Sequence, residues 1–124
     1  MKFLNKALFI LALASVSTNL AFAADWFEVT NGVFVDQSKI NYDYSKGIVS
    51  ADIKTLNNNK EILFTIGNYT VDCEAGNFRQ NSLTSFNQAE KILNETKIAG
   101  PWSLIPINTK EDYWTQALCG YKQR

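Results

Sequence analysis

Glu61-Ile-Leu-Phe-Thr-Ile-Gly-Asn-Tyr-Thr-Val-Asp-Cys73 is the longest β-prone stretch of the chain, and its reading decides the fold. β-Branched and aromatic residues dominate it, as they do on pleated, half-buried surfaces. Asn57-Asn58-Asn59 opens it as a turn, and Gly67 is expected to mark a bulge or bend within it. Successive side chains of a strand point to opposite faces, so Leu63 shares a face with Cys73 while Phe64 and Ile66 look the other way. Those two are expected to be covered by another segment of the chain, as ordinary core, or else to form an interaction surface for a second chain.

Working outward, the neighbouring segments carry the same strand-and-turn signature. Upstream, Ile48-Val-Ser-Ala-Asp-Ile-Lys-Thr-Leu56 alternates in the manner of a half-buried strand. Further upstream, Trp26-Phe-Glu-Val29 and Val33-Phe-Val-Asp36 flank Thr30-Asn31-Gly32, where Asn-Gly supplies residues that tolerate positive φ in a hairpin turn. Downstream, Glu74-Ala-Gly76-Asn77 reads as the next turn and returns the chain through Phe78-Arg-Gln-Asn-Ser-Leu-Thr-Ser-Phe86 as a partner strand. These elements predict an antiparallel meander of about five or six strands. The segment from Asn87 to Thr96 is helix-compatible without an apolar stripe, and Gly100-Pro101-Trp102 to Pro106 reads as an extended connection.

Helical signals appear only near the C-terminus. Asn108 or Thr109 can cap the free N–H groups of a helix that carries Glu111 and Asp112 in its first turn, and Gly120 is placed to end it. Trp114 and Leu118 lie four apart and share a face, with Tyr121 one turn on, which provides an apolar stripe to lay on the sheet. The fold class is therefore α+β: an antiparallel sheet with a C-terminal helix packed on one face.

The N-terminus reads as an export leader over residues 1–23. It has a basic start at Lys2 and Lys6, the apolar run Ala7 to Val16, and the small-residue site Ala21-Phe22-Ala23, so cleavage is expected before Ala24. The run is shorter than the roughly 20 residues that cross a bilayer, so no membrane span is expected in the mature chain. A single domain over residues 24–124 remains, in the periplasm or secreted. Loss of Lys2 and Lys6 leaves ten basic against twelve acidic residues, a net charge of −2 without a basic patch, which argues against nucleic-acid partners.

The chain has two cysteines, Cys73 and Cys119, and an oxidising compartment would keep one bond between them. A metal site or a redox pair is the rival reading. With no histidine, no further cysteine and no Cys-x-x-Cys spacing, neither is favoured, and no metal or cofactor is expected. The same absence of histidine removes Ser-His-Asp and Cys-His mechanisms. Acidic residues such as Glu28, Asp36, Asp52 and Asp72 show no spacing that singles out a catalytic pair, so no catalytic residue is assigned and the protein is expected not to be an enzyme.

Several short motifs in this order resemble the bacterial surface-adhesin protein E family. They are a tryptophan just after the leader at Trp26, Val33-Phe-Val-Asp36 running into Ser38-Lys39-Ile40, and a cysteine within a strand at Val71-Asp-Cys73. Trp102-Ser-Leu-Ile-Pro106 and Ala117-Leu118-Cys119 extend the resemblance to the closing segment. It implies a curved antiparallel sheet with the C-terminal helix tied to it by a Cys73–Cys119 disulfide. It also implies a non-enzymatic, adhesin E-like binding role toward host matrix or serum proteins, with a protein partner and self-association into a homodimer. The chain departs from that family in lacking a lipidation cysteine in its leader, which favours a periplasmic or released protein over stable surface display. Binding is expected through a sheet face at Phe64 and Ile66, or through the loop and strand start at Asn77, Phe78, Arg79 and Gln80. The alternatives are a periplasmic inhibitor or protective protein directed against a cell-wall hydrolase, and a structural envelope protein.

Overall fold

The computed structural model describes residues 23–122, without the side chains of Tyr121 and Lys122. Residues 1–22 of the expected leader over residues 1–23, and the packing of Tyr121, therefore lie outside the described residues. In chain order the elements are β1 (Trp26–Thr30), β2 (Val33–Asp36), a 3-10 turn (Gln37–Lys39), β3 (Asn41–Asp43), β4 (Ile48–Leu56), β5 (Phe64–Asp72), β6 (Asn77–Phe86), β7 (Ile92–Thr96), β8 (Ser103–Leu104) and α1 (Lys110–Lys122). Every strand pairing is antiparallel. Six strands run side by side in the order β1-β2-β4-β5-β6-β7, with β3 added to β4 and β8 added to β6. The meander and the single C-terminal helix expected from the sequence are both present.

The alternation of each strand sorts its residues onto two faces. Val33 and Val35 of β2, Val49, Ala51 and Ile53 of β4 and Val71 of β5 are buried together with Trp114 and Leu118 of α1. Trp114 is 2% exposed and Leu118 1%, so the predicted stripe is the contact that joins helix to sheet. Burying a side chain of this size stabilises the fold by about 1.5–3 kcal/mol. The helix begins as its cap residues require. The Thr109 hydroxyl accepts the Asp112 N–H at 3.2 Å, and the Asp112 carboxylate accepts the Asn108 N–H at 2.9 Å. Asn108 adopts a φ of 61°, which asparagine tolerates better than most residues.

Three expectations are corrected. Residues 92–96 form a strand: β7 pairs with β6 from Leu83↔Thr96 to Phe86↔Ile92, and its side chains are all exposed. A helix there would have had no buried stripe to hold it, and a short unpacked helix is marginal in water. The helix also runs on through Gly120 to Lys122, and Gly120 does not adopt the positive φ of a terminating glycine. Gly67 lies in regular ladder, opposite Ile53 and Leu83, and the register shift falls one residue later. Its own constraint is steric: a Cβ on Gly67 would lie 2.6 Å from the Tyr69 ring.

Cys73 follows β5 and Cys119 lies in the last turns of α1; they are bonded, with Cα atoms 5.8 Å apart. The bond closes a loop across a sequence separation of 46. By loop-closure entropy that bond stabilises the fold by about 4 kcal/mol. Replacing both cysteines by alanine is expected to lower the free energy of unfolding by about that amount. Urea unfolding followed by tryptophan fluorescence measures it, and an unchanged midpoint would contradict the contribution assigned to the bond.

Candidate functional site

The site is organised by a bulge in β6. Asn68 pairs with Ser82 and Tyr69 with Gln80, so Asn81 is an extra residue. Its side-chain amide donates to Asn68 Oδ1 at 2.9 Å and to Thr70 Oγ1 at 2.8 Å, which ties the bulge to β5. Asn68 in turn donates to Asp52 Oδ1 at 2.9 Å, and Ser50 and Thr70 share a hydrogen bond of 2.9 Å. This polar row occupies the sheet face opposite α1. Past the bulge the strand's alternation is reset, and Phe78, opposite Val71, joins the helix side.

The chain after β7 then folds back along β6. Gly100 donates its N–H to the Gln80 carbonyl at 2.7 Å and accepts from Arg79 Nε at 3.1 Å. Two residues later the Trp102 ring lies 5.5 Å from the Arg79 guanidinium carbon. β8 continues the pairing, with Ser103 opposite Phe78 and Leu104 opposite Asn77. Between this returning segment, the β5–β6 edge and the start of α1 lies an open groove of about 430 Å³. Arg79 and Glu111 both line it, with Tyr69, Phe78 and Leu104 among the walls between.

Two features give the groove its chemistry. Arg79 is held by one carbonyl and one indole, and among the described residues its terminal nitrogens have no hydrogen-bond or ion-pair partner. A guanidinium fixed in this way presents a planar fork suited to a carboxylate. The Glu111 carboxylate is likewise unpaired among the described residues, and its charge reaches the opposite wall. Burial, and secondarily the Glu111 charge, raise the Tyr69 phenol above its ordinary value. The Tyr69 ring is fixed against Trp114 at 4.8 Å and its hydroxyl meets Gln80 Oε1 at 3.3 Å.

Of the residues singled out in the sequence, the structure therefore brings Phe78, Arg79 and Gln80 together in this groove. Asn77 pairs with Leu104 at its end. Phe64 and Ile66 lie on the opposite face. Phe64 is 8% exposed: it stacks on Phe86 at 4.7 Å and carries the Lys54 ammonium 4.5 Å from its ring centre, with Trp26 and Phe34 also around that ammonium. Its cover comes from the chain itself. Gly100, Leu104 and Glu111, which line the groove, and Trp102, which lies against Arg79, are the residues that sequence reasoning passed over as site candidates, although Gly-Pro-Trp is an unusual run for a plain connection.

A second cleft of about 260 Å³ lies between β1 and α1, lined by apolar residues together with Gln37 and Gln116 and by no ionisable side chain. Among the described residues no cluster of three or more metal-ligating side chains occurs, and no helix is long and apolar enough to cross a membrane. No protein-family model matches the chain, and no curated protein matches it in sequence. Among solved structures, the chain is similar to Haemophilus influenzae protein E, with a TM-score of 0.62 at 9% sequence identity. The match covers 80% of this chain and 90% of that one. At that identity the likeness is one of fold.

Because the folded phenol of Tyr69 titrates above the unfolded value near 10, the stabilisation it provides is complete below that value and is lost as pH rises through the folded one. Alkaline absorbance titration is expected to show one phenol titrating late, absent in Tyr69→Phe and shifted down in Glu111→Gln. A Glu111→Gln protein with an unchanged titration would separate Glu111 from the groove.

Proposed function

We propose that this protein is an exported, non-enzymatic binding module, adhesin E-like in its mode of action, that captures an acidic protein segment in the groove between β6, β8 and α1. The observation that carries the reading is the presentation of Arg79. Its Nε is held by Gly100, its guanidinium lies against Trp102, its terminal nitrogens have no partner among the described residues, and the side chain lines a groove shared with Tyr69, Phe78 and Leu104. An arginine and a tryptophan in contact beside a partly apolar groove are of the residue types that dominate binding energy in protein interfaces. Leu104, 77% exposed beside them, adds apolar surface of the kind such interfaces cover.

The exported setting is supported by the leader-like first 23 residues and by a disulfide suited to an oxidising compartment. The fold shared with Haemophilus influenzae protein E and the motif resemblance support the adhesin-like class, with host matrix or serum proteins as the partners to test first. A non-enzymatic role is supported by the absence of histidine from the chain and by the engagement of both cysteines in one bond.

The test is surface-plasmon binding of the mature protein to a panel of extracellular-matrix and serum proteins and to arrays of acidic peptides. At least one ligand is expected to bind, and Arg79→Ala is expected to weaken it roughly ten- to a hundredfold, the loss of a charged hydrogen-bonding group. Arg79→Lys is expected to recover only part of that, since a lysine lacks the fork. The unfolding midpoint of each variant serves as the control for folding. An absence of binding across the panel, or full binding by Arg79→Ala, would defeat the proposal.

A further inference from the structure

Asp36 ends β2 at 0% exposure and belongs neither to the groove nor to the apolar core. One of its carboxylate oxygens is fully engaged. Oδ1 accepts the Asp25 N–H at 3.0 Å, the Ser38 N–H at 3.0 Å and the Ser38 hydroxyl at 2.6 Å, the last two capping the 3-10 turn. Oδ2 is buried and has no hydrogen-bond partner among the described residues. Leaving such an acceptor unpaired is costly, and more so for a charged group.

The group nevertheless stays ionised. Burial pushes the Asp36 carboxyl up, but the hydrogen bonds from Ser38 and Asp25, together with the Lys39 charge, outweigh it and hold the group below the usual carboxylate value. Lys39 is the nearest cation by sequence, yet its ammonium pairs with Asp52 at 3.7 Å. A buried anion with one idle oxygen therefore sits at the base of the first strand, where Trp26 pairs with Asp36.

The missing donor is one residue away. The Asp25 N–H already touches the carboxylate, and the residue before it is Ala24. Successive backbone nitrogens lie only about 3–3.6 Å apart, as standard bond lengths dictate. We propose that Asp36 is the docking site for the chain's own processed amino terminus: cleavage after Ala23 places the new α-ammonium of Ala24 on Asp36 Oδ2. In that cleavage an export peptidase adds water across the Ala23–Ala24 amide. The C–N bond breaks, the hydroxyl goes to the Ala23 carbonyl carbon, and the freed amine takes up the hydrogen and one further proton. An amide with a single N–H becomes an ammonium with three. The start of β1, already held by the Asp25 hydrogen bonds, then gains an ion pair that exists only in the processed chain.

The inference rests on the leader reading, and N-terminal sequencing of the protein exported with its own leader tests that step separately. A product beginning at any residue other than Ala24 overturns the proposal. For a product beginning at Ala24, NMR titration of the α-amine is expected to place it above the ordinary range of about 7.7–8.0. An amine raised in the folded state stabilises fully below its unfolded value, and the effect is lost as pH rises through the folded one. Nα-acetylation of Ala24 is expected to raise the unfolding constant at neutral pH on the order of tenfold or more, the scale of a charged hydrogen bond. Asp36→Asn is expected to abolish the difference between free and acetylated forms; should that variant not fold, the α-amine titration of the unmutated chain decides alone. An amine that titrates in the ordinary range, with acetylation leaving the unfolding constant unchanged, overturns the proposal.

Discussion

Trp114 and Leu118, one turn apart on α1, pack with Val33, Val35, Val49, Ala51, Ile53 and Val71 of the sheet, and the remaining structure depends on that contact. A lone antiparallel sheet of this size would leave one apolar face in water, and a 13-residue helix would be marginal by itself. Each element supplies the surface that the other must bury. The Cys73–Cys119 bond makes the arrangement hard to open, because it joins the last turns of the helix to the turn that follows β5. Thr115 completes the docked face without orphaning a polar group: its buried hydroxyl donates to the Glu111 carbonyl at 2.7 Å.

That same docking positions the groove. α1 starts where it does because Thr109 and Asp112 cap it, and its first turn thereby delivers Glu111 to the groove wall. On the opposite wall a single extra residue, Asn81, resets the alternation of β6 and puts Phe78 against the helix side. The returning segment closes the third side because the backbone at Gly100 donates to the Gln80 carbonyl and accepts from Arg79 Nε. Three local devices, a cap, a bulge and a backbone pairing at Gly100, therefore converge on one surface feature.

The opposite sheet face is of another kind. Its hydrogen bonds among Asp52, Asn68, Thr70 and Asn81 and its aromatic group around Lys54 are satisfied within the chain. Such a face is ordered without being short of partners. The proposals for binding and for the processed terminus come instead from the unpaired groups, the terminal nitrogens of Arg79, the Glu111 carboxylate and Asp36 Oδ2.

The sequence alone determined the meander, a C-terminal helix beginning after Thr109, its Trp114–Leu118 stripe and the expected disulfide, while the helix's run past Gly120 was not legible. These rest on short-range rules: period-two alternation, turn residues such as Asn31-Gly32, a cap followed by acids, and two cysteines with no competing ligands. The groove was half legible. Phe78, Arg79 and Gln80 were singled out as neighbours in sequence, but Trp102, Gly100 and Glu111 reach them only by long-range pairing. β7 was not legible, because a strand with every side chain exposed owes its existence to a ladder with β6 and not to its own pattern. Which face Phe64 would cover, and that Asp36 would be buried with one oxygen idle, were decided by tertiary structure, because burial is a property of what surrounds a residue and not of the residue itself.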